Sequence, residues 1–97
     1  MTDGDSSSED VAARLTLLRE WAGFTSQSAF AQRNGFTQSE WNHFESGRRR
    51  LPITAANRLK ANWRVTLDWI YHGERSGLSM EVANSLPTLG DRVSRQA

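Results

Sequence analysis

The chain has 97 residues, 37% of them hydrophobic and 24% charged, which suits one small globular domain with tails rather than two domains. Its net charge of +1 hides a pattern: residues 1–10 carry four acidic groups and no basic one, residues 11–75 ten basic against five acidic, and residues 76–97 two of each. No cysteine is present, which excludes disulfides, thiolate metal sites and a cysteine nucleophile, and no apolar run approaches the roughly 18 residues of a membrane span.

In chain order, Met1 leads into TDGDSSSED, which lacks the apolar stretch of a signal peptide. Residues 1–8 hold too little apolar surface to offset ordering entropy and are expected to form a disordered acidic tail. A first helix is expected from about Glu9 to Ala22, capped by Ser7 or Ser8, with Glu9 and Asp10 at its positive end. Val11, Leu15, Leu18 and Ala22 recur at helical spacing and point inward, whereas Arg14, Arg19 and Glu20 are read as polar positions. Gly23 stops this helix.

Ser26 opens a second helix, Gln27 to Arg33, with Phe30 and Ala31 inward and Gln27, Gln32 and Arg33 outward. Asn34-Gly35 is a break signal, because glycine tolerates the positive φ of a sharp turn. Thr37 caps a third helix, Gln38 to Ser46, in which Trp41 and Phe44 share one face. The other face carries Gln38, Ser39, Asn42 and His43, spaced i, i+4 in two pairs. Short uncharged donors and acceptors suit base edges in a DNA major groove, while a solvated face more often carries Glu and Lys. Glu40 is left with two readings, away from the groove or toward a cytosine amino group. Gly47 ends the helix and Arg48, Arg49 and Arg50 follow, so these three, with Gln27 and Thr37 at helix N-termini, are the expected phosphate contacts.

Pro52 begins a fourth helix, ending at Trp63, with Arg58 and Lys60 outside and Ala55, Ala56, Leu59 and Trp63 inside. Arg64-Val65-Thr66 connects it to a fifth, Leu67 to His72, capped by Thr66 and closed by Gly73. His72 reads as a cap or an edge residue of a dimer. Leu78, Met80, Val82, Ala83 and Leu86 outline one further short helix ended by Pro87, and the polar residues after it are expected to be disordered. Trp69, Ile70, Leu78 and Met80 are the candidate dimer interface, although Trp69 and Ile70 also fit a core.

These residues resemble the Cro/repressor-type (XRE-like) helix-turn-helix DNA-binding domains of phage and bacterial regulators. The likeness rests on Gln27, Phe30-Ala31, Gly35, Thr37-Gln38-Ser39, Glu45-Ser46-Gly47-Arg48-Arg49, Pro52 and Thr66-Leu67-Asp68-Trp69-Ile70 to Gly73, and covers roughly residues 11 to 75. It implies an all-α, five-helix domain over residues 9–75, with a C-terminal tail at 76–97. It also implies an ion pair between Arg19 and Glu45, which makes Glu45 structural. The chain departs from the pattern by one added residue at Phe24-Thr25-Ser26, by Trp41 where a smaller aliphatic is usual, and by Phe30 where Leu is common.

The function expected is that of a sequence-specific transcriptional regulator, a repressor binding double-stranded DNA at a palindromic operator as a homodimer. It would be cytoplasmic and bacterial or phage-encoded, with no membrane partner. The competing reading is an antitoxin or adaptor that uses the same fold and holds a protein partner through its C-terminal tail. Neither His43 nor His72 has a partner at metal-ligand spacing, and no phosphate loop or serine nucleophile motif is present, so neither enzymatic activity nor a metal or other cofactor is expected.

Overall fold

The computed structural model describes residues 8–88. Of the disordered tail expected at 1–8, residues 1–7 lie outside that span and Ser8 is helical, and the residues after Thr88 also lie outside it. Six helices follow one another: α1 Ser8–Trp21, α2 Gln27–Asn34, α3 Gln38–Ser46, α4 Ile53–Trp63, α5 Leu67–His72 and α6 Met80–Ser85. No strand occurs among the described residues, and no helix there is long and apolar enough to cross a membrane. The molecule is all-α.

The helix starts follow from side-chain hydroxyls. Ser26 Oγ accepts from Ala29 N, Thr66 Oγ1 from Trp69 N, and Ser79 Oγ from Val82 N, each satisfying a donor that the first turn leaves orphaned. Thr37 does more. Its hydroxyl accepts from Glu40 N while its own N–H donates to Glu40 Oε1, a reciprocal capping box. Ser8 lies within α1 rather than ahead of it. The turn between α2 and α3 depends on Gly35, whose φ of 83° lets its N–H close on Ala31 and Gln32.

One core joins all six helices. Leu15, Leu17 and Leu18 of α1 meet Phe30 and Ala31 of α2, Trp41 and Phe44 of α3, Ala55, Ala56 and Leu59 of α4, and Trp69 and Ile70 of α5. Phe30 and Trp41, the two departures from the usual pattern, explain each other here. Their rings meet edge to face at 5.1 Å, and each takes a second ring in stacked contact, Trp63 against Phe30 at 5.5 Å and Phe36 against Trp41 at 5.7 Å.

Two expectations change. Arg14 and Arg19, expected as polar positions of the first helix, are both buried. Arg14 Nε donates to Ile70 O at the C-terminal end of α5, where a cation suits the exposed carbonyls, and burial pulls its pKa below the ordinary value. The second change concerns Trp69, Ile70 and Leu78, offered as a dimer interface. All three sit in the core of the single chain, so their apolar area is already removed from water, and Met80 alone of the four is exposed. Leu78, Val82 and Leu86 carry α6 into that same core. Arg75 holds the segment by donating to Ala83 O, Leu86 O and Pro87 O.

Candidate nucleic-acid interface

The third helix is positioned from behind. Its inward face buries Trp41 and Phe44, and it packs on α1 and α2. Its C-terminal turn is anchored by Glu45, whose side chain is only 4% exposed. Arg19 Nε donates to Glu45 Oε2 at 2.7 Å, Arg19 Nη2 and Thr16 Oγ1 donate to Oε1, and Trp41 Nε1 donates to Oε2. Arg19 also donates through Nη1 to the carbonyls of Phe24 and Thr25, which ties down the loop before α2. The expected Arg19–Glu45 pair therefore forms, and its polar atoms are satisfied on several sides at once. That satisfaction is what makes burying a charge pair tolerable.

Outward, Gln38, Ser39 and Asn42 are exposed, and His43 is half-buried. The four share the α3 surface but are not equivalent. His43 O accepts from Arg49 N and from Ser46 Oγ, so the backbone at His43 is engaged in closing the helix. Glu40 is drawn into the capping box. Its bond from Thr37 N, with smaller contributions from Arg49 and Arg58, holds its carboxyl below the ordinary value of 4.5.

The five residues expected at phosphates are placed differently from one another. Arg48, Arg49 and Arg50 are all exposed directly after α3. The Arg49 guanidinium lies over the Phe44 ring at 5.6 Å, so its direction is constrained by the core that α3 covers. Thr37 is exposed, with its hydroxyl occupied by the cap. Gln27 is half-buried and engaged at both ends of its carboxamide: Nε2 donates to Glu45 Oε1 at 3.1 Å and Oε1 accepts from Asn42 Nδ2 at 3.0 Å. This links one expected phosphate contact directly to one expected base contact.

Two supporting residues escaped the sequence reading. Asn34, taken as a turn former, is 4% exposed. Its Nδ2 donates to Phe30 O, and its Oδ1 accepts from Asn62 Nδ2 and Trp63 Nε1, which joins the turn to α4. Arg58 donates to Gly35 O at 2.9 Å and lies over the Phe36 ring at 5.1 Å, bracing the same turn. Neither has a local signal, because their hydrogen-bond partners other than Phe30 are 23 to 29 residues away.

The family model for a helix-turn-helix domain matches residues 10–61, which covers α1 through most of α4. No curated protein and no solved structure matches the chain.

Proposed function

We propose, for a chain that belongs to the helix-turn-helix domain family, that it is a sequence-specific DNA-binding regulator of transcription whose α3 enters the major groove. The observation that carries this reading is the make-up of α3: an outward face of Gln38, Ser39 and Asn42, free of Lys and Arg, on a helix locked from behind by a buried ion pair and followed by three exposed arginines. Uncharged amide and hydroxyl groups discriminate bases, and the arginines supply sequence-independent attraction to phosphates. Gln38, Ser39, Asn42 and His43 are assigned to base edges, and Gln27, Thr37, Arg48, Arg49 and Arg50 to the backbone.

The finer reading is a repressor that binds a palindromic operator as a homodimer. One domain of this size makes few base contacts, and two-fold pairing doubles them. Met80, 79% exposed at the start of α6, is the member of the expected interface that remains available for pairing. The antitoxin or adaptor reading loses support, because Leu78, Val82 and Leu86 are committed to the chain's own core and are not free to wrap a partner.

The test is selection of bound duplexes from a random pool, followed by titration of wild type and Gln38→Ala on the selected and scrambled sites at one salt concentration. Gln38→Ala is expected to lose about 1–3 kcal/mol on the selected site and little on the scrambled one. Equal loss on both, or none on either, overturns base reading by α3. Sedimentation of the chain with and without the selected duplex tests the dimer, and a monomer in both would overturn it.

A further inference from the structure

The hydrogen bonds that cross from α1 through α2 to α3 have a direction. Glu45 is a carboxylate paired with the Arg19 guanidinium, and such a group only accepts. Gln27 must therefore meet it with its amino group, and Nε2 does donate to Glu45 Oε1. That turns Gln27 Oε1 toward α3. An amide oxygen likewise only accepts, so Asn42 must meet it with its own amino group, as it does through Nδ2. The orientation of each carboxamide is thus imposed by the buried ion pair. What remains of Asn42 for an incoming base is Oδ1 and one N–H, on a side chain that is otherwise exposed.

We propose that Gln27 is a positioning residue that sets the base preference of Asn42; this rests on the DNA-reading role given to α3 above. Held by Gln27, the Asn42 carboxamide offers an acceptor to the groove. It therefore selects a base that presents an amino group, adenine through N6 above all, since the adjacent N7 can take the remaining N–H, and cytosine through N4 next. Guanine puts its O6 acceptor against Oδ1 and is rejected. An asparagine without that tether turns its amide over at little cost and offers N–H to guanine, so the discrimination comes from the tether and not from Asn42 alone. Gln27 on this account does more than touch a phosphate.

The experiment uses the full chain as wild type, Gln27→Met and Asn42→Ala, each put through selection from a random duplex pool at one salt concentration. The selected site and its single-base variants are then titrated. Wild type is expected to prefer adenine over guanine at one step by about tenfold or more. Asn42→Ala should abolish the preference at that step. Gln27→Met should narrow it, at the same step, to within about threefold while preferences at other steps persist. Helical content by circular dichroism checks that the variants are folded, and Gln27→Ala, a good helix former, is the second variant if Gln27→Met is not. Uniform weakening on all duplexes, with the adenine preference intact, overturns the relay and leaves base reading by α3 standing. A wild type that selects no sequence overturns both.

Discussion

Arg19 connects the core to the surface through four of its five N–H donors. Three of its hydrogen bonds, to Glu45 Oε2, Phe24 O and Thr25 O, lie between 2.7 and 3.0 Å, and a fourth reaches Glu45 Oε1 at 3.3 Å. Replacing it with an apolar side chain of similar length leaves Glu45 buried without its cation and frees the loop before α2. Arg19→Met is therefore expected to cost about 3–5 kcal/mol, a large share of the stability of a small domain. Urea denaturation checks this, and a change below about 1 kcal/mol would mean the pair behaves as an exposed one. The Gln27–Asn42 link hangs on the same carboxylate, so a residue with no place at the surface governs how a surface amide is presented.

α3 shows how much of an element is set by its first turn. The Thr37–Glu40 box satisfies donors at both ends of the cap, and the Glu40 carboxyl lies below the ordinary value of 4.5, chiefly because it accepts from Thr37 N. A carboxylate whose folded pKa is depressed adds stability that is present above its unfolded value and lost as pH falls through the folded one. The stability of wild type relative to Glu40→Gln is thus expected to shrink as pH drops below 4.5. Glutamine keeps an acceptor for Thr37 N but does not titrate. Denaturation of both proteins between about pH 3 and pH 6 reads the effect, and parallel pH curves would show that the charge of Glu40 is not what α3 uses.

The whole molecule is one packed unit from α1 to α6, and its surface carries the charge. Leu86 is 2% exposed although it lies well past the helices that the family model matches. Leu86→Ala is expected to destabilise the protein by about 2–5 kcal/mol, as deletion of a buried leucine does. Were 76–97 a tail hanging free of the domain, the loss would stay within about 0.5 kcal/mol. On the function proposed above, binding belongs to the same scale, because the excess of ten basic over five acidic residues across 11–75 gives the domain a net positive field that favours phosphates. Arg49→Ala is expected to weaken binding to all duplexes alike and to lower the slope of log affinity against log salt by about one. A loss confined to the selected site would move Arg49 from the backbone to the bases.

The helices, the caps at Ser26, Thr37 and Thr66 and the break at Gly35 were legible because each rests on groups within a few residues: a hydroxyl three positions ahead of an amide, or a glycine where φ turns positive. The outward face of α3 was legible for the same reason, since spacing along a helix assigns faces directly. The limit appeared wherever the question was what an apolar or polar group meets. Trp69, Ile70 and Leu78 have the same signature whether they cover a second copy or their own core; in the folded chain all three are buried, Trp69 and Ile70 on the helix that packs against α1 and α4. Arg14, Asn34 and the Gln27–Asn42 link were invisible for the complementary reason. Their partners lie between 15 and 56 residues away, apart from the short bond from Asn34 to Phe30 O, and no spacing rule reaches across a chain turn. Local backbone chemistry sets which residues form helices and which way they face. Which buried donor meets which acceptor depends on how those helices are brought together, and that is a property of the folded chain.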